Sequence, residues 1–413
     1  MNDNRIKLRK KVFFAGLFLY CVPTILQTTL LVETSYWNDL FVYLRYLAFY
    51  FGLILIVDEH VTWNKRKRFP LELVNVRKSV WCLAILAVTG INALISGDRS
   101  FLACVVFIMA AENIDLDQII KTIFFMISTV LLIITGLSGY GTIEDMMFKR
   151  QDVLTRHALG FDYPSTVISY LFFAVVLYCW ITEMKLTLIE VITIELLNLI
   201  LFKLTDSRFG FLLIAVLVAG VYLWGLVQKN FIVEDIFKNR RVRFITDYAG
   251  VLLSVVTLIM CIIYPTGLGK LFDRFLSKRI QYMVAGFRNY GVHLFGKHID
   301  WIGFGGSDNT DSLLKSYNFV DNSYAKILLD QGLLIFILVL VILIIMNKII
   351  RKQYHDGRIV LVLFVLLYSF VEPRLLHIYV NPFLFAAAPF IRGTFLEEKD
   401  GKFTEWYKMI NKE

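Results

Sequence analysis

The chain has 413 residues, of which 57% are hydrophobic, 15% aromatic and only 19% charged, and its mean hydropathy is +0.64. A soluble globular domain carries about 25% charged residues, so this composition excludes an ordinary soluble enzyme. The net charge of +9 lies mainly in loops between apolar runs, which indicates contact with anionic lipid and argues against nucleic acid as the partner.

Apolar runs recur along the chain at a length of about 17 to 22 residues, enough to cross a hydrocarbon core of about 30 Å. They lack the strict alternation of barrel strands and therefore predict helices. We expect an all-α polytopic membrane protein with about twelve transmembrane helices, organised as a single membrane domain over residues 1–413. The predicted spans are 12–32, 40–57, 80–96, 100–111, 119–137, 164–182, 186–204, 209–227, 247–264, 323–346, 359–372 and 380–396.

Lysine and arginine are concentrated in alternate loops. The clusters are RIKLRKK near the N-terminus, 65–68, 238–243, 348–358 and the lysines of the C-terminal tail. With twelve spans all of them fall on one side, which the positive-inside rule makes the cytoplasm. We therefore expect the cell membrane as the location and both termini on its cytoplasmic side. The first apolar run is too long for a signal-peptide core and is expected to be a retained span.

The five cysteines lie within predicted spans and never at the spacing of metal ligands. They are Cys21, Cys82, Cys104, Cys179 and Cys261. We expect them to pack as small apolar side chains. The sequence predicts neither a metal site nor a cofactor.

Two external loops, 138–163 and 265–322, are long enough to hold a site. The larger one contains a predicted helix, GKLFDRFLSKRIQYMVAGFRNYG, at 269–291. One stripe of that helix comprises Arg274, Lys278, Gln281 and Arg288. A second, roughly opposite stripe comprises Arg279, Tyr282, Met283, Gly286 and Tyr290. The helix either lies on the outer leaflet or presents arginine to an anionic ligand, since guanidinium binds phosphate through two nitrogens and stays protonated.

Further charged residues stand at the entrances of the spans. Arg156 and His157 come shortly before Pro164, a natural first residue of a helix. Arg208 opens the eighth predicted span after a capping Asp-Ser pair. An arginine at a helix end ordinarily extends toward water and a single loop histidine is ordinarily a bystander, but arginine is otherwise scarce on the short external loops.

The stretch SYNFVDNSYAKILLDQG, residues 316–332, leads from a polar loop into an apolar run. Asp321 or Ser323 can cap the helix, and Lys326 with Asp330 forms a pair at i and i+4. Two polar residues are left without a structural explanation, Asn322 and Tyr324. Lys326 is also placed to hold an anion instead of pairing with Asp330.

In their order and spacing, the segments TRHALGFDYPS, DSRFG, LSKRIQYMVAGFRNYGVHLFGKHI and VDNSYAKILLDQG resemble the Wzy-type polysaccharide polymerases, which are related to the O-antigen ligases. The late stretch from 372–374 to 381–382 looks like that family's last outer loop. The resemblance implies a GT-C-like architecture and a glycosyltransferase of capsule, exopolysaccharide or O-antigen biosynthesis. Such an enzyme transfers a growing glycan from undecaprenyl pyrophosphate to the acceptor sugar of another lipid-linked repeat unit on the external membrane face. A flippase and a chain-length regulator are the implied protein partners.

The resemblance also implies roles for residues. The family commonly has a His-Asn pair where this chain has Asp321-Asn322, so a carboxylate or His157 is expected to serve as base. The expected catalytic residues are Asp321, Arg279, Arg208 and His157. The expected substrate-binding residues are Arg156, Arg274, Arg288, Asn322, Tyr324, Tyr282 and Lys326, with Tyr290 and Trp301 as further stacking surfaces for sugars.

Two alternatives stay open. A ligase that moves finished glycan to a different acceptor has the same general sequence features. A flippase or other transporter of lipid-linked saccharides is favoured by Glu195 within the seventh span, because intramembrane acids are costly and ordinarily functional. Transporters also tend to carry internal repeats, and none is visible in this sequence.

Overall fold

The structure is a computed structural model that describes residues 3–32, 35–63, 71–150, 154–228, 239–305, 317–354, 357–394, 398–399 and 402–403. The predicted basic run at 65–68 and the tail residues Lys408 and Lys412 lie outside them, as does the stretch 306–316 of the longer predicted loop. The described chain is mostly helical, with three short antiparallel hairpins.

The helices follow one another in chain order. The first eight are α1 (Asp3–Leu26), α2 (Ser35–His60), α3 (Val76–Ser96), α4 (Ser100–Ala110), α5 (Leu116–Gly139), α6 (Pro164–Ile181), α7 (Leu188–Thr205) and α8 (Arg208–Gln228). The remaining ones are α9 (Arg240–Asp247), α10 (Ala249–Ile263), α11 (Gly267–Phe275), α12 (Arg279–Tyr290), α13 (Ser323–Asp330), α14 (Gly332–Gln353), α15 (Ile359–Tyr368) and α16 (Ala388–Ile391). Two short 3₁₀ segments lie at Leu30–Val32 and Pro382–Ala387.

The hairpins join neighbouring segments of the chain. They are β1–β2 (Val61–Trp63 with Leu71–Leu73), β3–β4 (Met147–Arg150 with Leu154–His157) and β5–β6 (Glu398–Lys399 with Lys402–Phe403). The second of them lies within the predicted external loop 138–163. The fold is therefore helical with small β additions.

Six of the described helices are long and apolar enough to span a membrane: Tyr36–His60, Val76–Ser96, Leu116–Gly139, Pro164–Ile181, Arg208–Val227 and Gly332–Gln353. A seventh span results if α9 and α10, which are bent by 67° to each other, count as one. Two further helices, α1 with 24 residues and α7 with 18, are long enough but are not among these six. Other predicted spans are shorter or interrupted in the structure. α4 has 11 residues and α15 has 10, while the stretch from Pro382 is a 3₁₀ turn followed by four helical residues.

The predicted span 323–346 is divided in two at Gly332. This glycine has φ +80°, a left-handed conformation that ends α13 and lets α14 start in a new direction. The first amides of α14 find acceptors outside the helix, because Leu333 N donates to the carbonyl of His293 and Leu334 N to that of Leu294. The loop around 293–297 thus caps α14.

Helix α6 lies at the centre of the bundle, and most of its side chains are buried. On one side Phe172 stacks on Tyr368 of α15 at 4.1 Å between ring centroids, and the Ser169 hydroxyl lies 2.7 Å from the Tyr368 hydroxyl. By contrast, α2, α3, α7 and α10 expose many large apolar side chains. A soluble protein rarely exposes so much apolar surface, and such surface is typical of a protein embedded in a membrane.

Ionic contacts mark one end of the bundle, named here the Glu59 end. Glu59 lies 2.6 Å from both the Lys78 ammonium and the Arg392 guanidinium. Arg9 contacts Glu112 at 2.9 Å, and Arg392 contacts Glu112 at 3.3 Å. These contacts join the start of α1, the end of α2, the start of α3 and the segment after α16. The opposite end, at which α3 ends and α13 begins, is named the Asp321 end.

Candidate functional site

The two residues placed first by the sequence analysis, Arg279 and Asp321, are in contact at the Asp321 end. Arg279 Nε donates to Asp321 Oδ2 at 3.1 Å, although the residues are 42 positions apart. About a quarter of each side chain is exposed. Both terminal nitrogens of Arg279 lack a protein partner among the described residues. The guanidinium is therefore held by one carboxylate and remains open to a second anion.

Backbone geometry places Arg279 as the first residue of α12. Ser277 and Lys278 both have positive φ, which ends α11 and reverses the chain. The buried Asp273 carboxylate accepts from Gln281 N at 2.9 Å and so caps α12. The helix predicted over 269–291 is thus wrong as a single element, because the chain turns at 277–278. The first stripe, which begins at Arg274, crosses this turn and is not a continuous face, whereas the second, from Arg279 to Tyr290, lies wholly within α12.

A second ion pair lies beside the first. Glu372 Oε1 accepts from Arg374 Nε at 2.7 Å, and the Arg374 guanidinium packs over the Tyr170 ring at 5.2 Å. Burial raises the pKa of Glu372 above its ordinary value, and Arg374 opposes this shift. Burial disfavours the charged form of Arg279, but Asp321 and Glu372 outweigh it and raise its pKa. The two pairs therefore form one connected set of charges.

The start of α6 is hydrogen-bonded to these charged residues. Arg374 reaches Thr166 Oγ1 at 3.4 Å, and the Thr166 hydroxyl donates to Asp162 Oδ1 at 2.9 Å. Burial raises the pKa of the Asp162 carboxyl, with Arg374 acting in the opposite direction. Pro164 starts α6 directly after these groups, since its missing N–H costs nothing at the first helical position.

Aromatic rings extend from the ion pairs toward the β3–β4 hairpin. Tyr282 meets Tyr317 edge to face at 4.6 Å between centroids, and Tyr317 stacks on Phe304 at 4.5 Å. Phe304 is nearly parallel to Tyr163, at 6.4 Å and 19°. All four rings are half-buried. We call Tyr163, Phe304, Tyr317 and Tyr282 the aromatic strip.

Arg156 joins the hairpin to the start of α8. Its Nε donates to the Thr205 carbonyl at 2.7 Å, its Nη1 to the Tyr163 hydroxyl at 3.2 Å and its Nη2 to Ser207 Oγ at 3.4 Å. The guanidinium also lies over the Tyr163 ring. Arg156 is thereby engaged at one end of the aromatic strip.

Arg208 and His157 are placed differently. The Arg208 side chain is 71% exposed and contacts Asp206 at 3.3 Å, so it points to the surroundings of the bundle rather than toward Asp321. His157 Nδ1 lies 2.6 Å from Asp145 Oδ2, within the hairpin region. The Asp145 carboxylate also accepts from Leu159 N. The described residues bring neither Arg208 nor His157 into contact with the Arg279–Asp321 pair.

Asn322 and Tyr324, assigned to substrate by the sequence analysis, are buried and hold the fold. Asn322 Oδ1 accepts from Ala325 N at 2.9 Å and its Nδ2 donates to the Phe370 carbonyl, so Asn322 is the cap of α13 in place of Asp321 or Ser323. The Tyr324 hydroxyl donates to the Leu366 carbonyl at 2.8 Å. Both residues fix the backbone that carries Asp321.

Lys326 forms the expected pair with Asp330, at 2.8 Å, and lies over the Trp301 ring at 4.2 Å. Trp301 Nε1 donates to Asp330 at 2.7 Å. Lys326, Asp330 and His377 line a cavity of about 40 Å³, which is room for one or two waters. Burial and the nearby Arg374 lower the pKa of His377 to about 4, so this imidazole is neutral at pH 7.

Two further residues that were predicted to bind substrate lie away from the Arg279–Asp321 pair. Arg274, in the last turn of α11, and Arg288, in the last turn of α12, are exposed. Neither guanidinium has a partner in the part of the chain that the structure describes. The structure does not bring them to the Arg279–Asp321 pair.

Several residues of the site were not picked out from the sequence: Asp162, Tyr163, Phe304, Tyr317, Glu372 and Arg374. The Glu-Pro-Arg triplet at 372–374 carried a usable signal, because two charges directly after an apolar run are costly near a membrane. The aromatic residues carried none, since aromatic side chains are frequent throughout this chain.

Comparison of the chain with protein-family models, with curated proteins and with solved structures finds no match. The geometry of the Asp321 end is therefore the basis on which a function is proposed.

Proposed function

We propose that this chain is a membrane glycosyltransferase, a Wzy-type polysaccharide polymerase that acts on lipid-linked repeat units. It transfers a growing glycan from undecaprenyl pyrophosphate to the acceptor sugar of another lipid-linked repeat unit on the external face of the membrane. The observation that carries the proposal is the contact of Arg279 with Asp321, which places a partly open guanidinium beside a carboxylate at a membrane-helix end.

The proposed reaction uses the two groups differently. The bond from the anomeric carbon to the pyrophosphate oxygen breaks, and its electron pair stays on the pyrophosphate. The unpaired nitrogens of Arg279 donate to that leaving group and stabilise its growing charge. An acceptor hydroxyl forms the new bond to the anomeric carbon, and its proton passes to Asp321. Arg374 holds Glu372 in place beside them.

The proposal includes a topology. About twelve membrane-crossing or membrane-embedded segments place the Asp321 end outside the cell and the Glu59 end, with the basic loops, in the cytoplasm. The described helices that are too short to cross alone, such as α4 and α15, pack inside the bundle between longer ones.

The test is complementation of a strain deleted for this gene with wild type, Arg279→Ala, Asp321→Asn or Lys297→Ala, followed by gel analysis of lipid-linked and surface glycans. Lys297 is the matched control, because it is an exposed cation of the same loop. We expect a ladder of polymer with wild type and Lys297→Ala. Arg279→Ala and Asp321→Asn should reduce polymer about 100-fold or more and accumulate single repeat units, as loss of a charge-stabilising group does.

Other patterns contradict the proposal in informative ways. If Arg279→Ala is present at the wild-type level and still gives a normal ladder of polymer, the proposed role of the ion pair in the reaction is wrong. Full-length lipid-linked polymer that never reaches its final attachment in the deletion strain identifies a ligase. Repeat units held on the inner leaflet identify a transporter.

A further inference from the structure

The aromatic strip combines ring faces with hydrogen-bonding groups that the protein does not use. Its rings run from Tyr163 at the start of α6 through Phe304 and Tyr317 to Tyr282 on α12. Tyr163, Phe304 and Tyr317 are close to parallel, with interplanar angles of 19° and 20° between neighbours. Phe304 and Tyr317 overlap at 4.5 Å, so each covers one face of the other, and the half-buried rings present their remaining exposed surface along the strip.

The phenol hydroxyls in the middle and at one end of the strip are open to the surface of the described chain. Within the described ranges, neither the Tyr317 nor the Tyr282 hydroxyl has a hydrogen-bond partner, although both side chains are half-buried. Burial and the neighbouring Asp321 carboxylate raise the pKa of both phenols, which keeps them protonated and able to donate. A hydroxyl that is accessible and has no protein partner among the described residues is free to bond a ligand with its own polar atoms.

The chemistry of such a ligand follows from the two halves of the surface. An aromatic face carries negative charge density and attracts the weakly positive C–H face of a sugar ring. The rim of that sugar ring carries hydroxyls, which match the Tyr282 and Tyr317 hydroxyls, the Asp321 carboxylate and the open nitrogens of Arg279. A lipid tail could pack against the rings, but it has no polar atoms to form hydrogen bonds with these groups.

We propose that the aromatic strip is a saccharide subsite, in which sugar rings of the glycan pack against the exposed parts of Phe304 and Tyr317 with their hydroxyls toward Tyr282 and Asp321. Because the strip continues to Tyr163, it contacts more than one sugar unit and selects an oligosaccharide over a monosaccharide. This inference rests on the proposed function for the identity of the glycan, but the binding of saccharide is measurable without turnover.

The experiment is saturation-transfer NMR on the purified full chain in lipid nanodiscs. The probes are the methyl glycosides of glucose, galactose and N-acetylglucosamine, together with cellobiose, lactose and diacetylchitobiose. The variants are Tyr317→Leu, which removes a ring, and Tyr317→Phe, which removes only the hydroxyl. Tyr140→Leu is the control, since Tyr140 is 89% exposed and lies outside the strip. A thermal melt of each variant confirms that it is folded.

We expect at least one disaccharide to bind wild type more tightly than its monosaccharide glycosides. Tyr317→Leu should weaken binding about tenfold, Tyr317→Phe less, and Tyr140→Leu not at all. Equal binding by wild type and Tyr317→Leu, or no binding of any probe by wild type, overturns the subsite. The gel experiment can give a different answer from the binding experiment. If deletion of the gene leaves the polymer unchanged but saccharide binding still depends on Tyr317, the subsite is supported and the polymerase function is contradicted.

Discussion

Glu372 illustrates how a single residue at the site balances burial against charge. It is only 7% exposed, and burial raises the pKa of its carboxyl above the ordinary 4.5 in spite of Arg374. A group whose pKa is higher in the folded than in the unfolded state stabilises the fold while it is protonated. That contribution is complete below pH 4.5 and is lost as the pH rises through the raised pKa.

Glu372→Gln, which imitates the protonated carboxyl, should therefore change the pH dependence of stability. We expect the stability of the variant to rise relative to that of wild type between pH 4.5 and pH 7.5, because the wild-type carboxyl loses its proton over this range and the amide does not. The measurement is the thermal unfolding of the purified proteins at a series of pH values. Asp300→Asn, whose carboxylate is 90% exposed, is the control and should follow wild type. A difference between Glu372→Gln and wild type that stays constant with pH contradicts this account.

At the residue scale, sequence reasoning located charges better than it located polar uncharged groups. Arg279 and Asp321 stood out because charges near membrane helices are costly, and the structure places them in contact. Asn322 and Tyr324 stood out as polar groups at the entrance of an apolar run, but Asn322 caps α13. Both also donate to backbone carbonyls of a distant segment, which no sequence pattern reveals. The catalytic and binding roles of all these residues stay predictions.

Among the elements, the break between α13 and α14 has the most direct effect on the site. Gly332 sits against the backbone of the capping loop, and a Cβ added there meets the Gly296 amide nitrogen and the His293 carbonyl oxygen. Its φ of +80° is in addition unfavourable for any other residue. Backbone atoms on both sides cannot yield as a flexible side chain does.

Gly332→Ala is accordingly expected to destabilise the protein by about 3 kcal/mol and to disturb the segment that carries Asp321. Gly220→Ala in α8 is the matched control, because a Cβ there meets open space and alanine favours the helix. Thermal aggregation followed by size-exclusion chromatography measures both variants. If Gly332→Ala behaves like wild type, the capping loop around 293–297 can shift to make room for the methyl group. The break between α13 and α14 would then not be explained by the need for glycine at 332.

The presence of helices was predictable from the sequence, but the positions at which they break were not. Apolar length identified the six helices that can span a membrane, since length and composition are what hydropathy measures. Apolar length joined α13 to α14, and helical periodicity joined α11 to α12, because the turns between them depend on positive φ at Gly332, Ser277 and Lys278. Two of these three residues are not glycine, and a side chain in a left-handed conformation is imposed by tertiary contacts.

At the scale of the whole molecule, hydropathy does not distinguish a helix that faces lipid from one buried in protein. α6 and α3 are both apolar, yet the window of α6 is 83% buried and that of α3 only 39%. In a membrane, lipid tails and the side chains of neighbouring helices are similarly apolar. The composition of α6 therefore does not reveal that it lies at the centre of the bundle. The site forms over the start of α6 because the other helices close around it there.

The proposed topology is testable with a thiol reagent that does not cross membranes. Asp300→Cys replaces a side chain that is 90% exposed at the Asp321 end, and Lys185→Cys one that is 67% exposed in the loop after α6. The native cysteines give little background, since four are buried and Cys261 is half-buried. In intact cells we expect label on Asp300→Cys, and on Lys185→Cys only after permeabilisation. The reverse pattern places the site in the cytoplasm and removes the proposed external reaction.

The charges at the Glu59 end also set an order for assembly during synthesis. Glu59 meets Lys78 soon after both have left the ribosome, but Arg392 follows 333 positions later. Until Arg392 arrives, Glu59 and Glu112 have one cation fewer than the closed bundle provides, and burying them is unfavourable. The bundle therefore closes at this end only when its late segment docks, and chains arrested earlier stay open to membrane proteases.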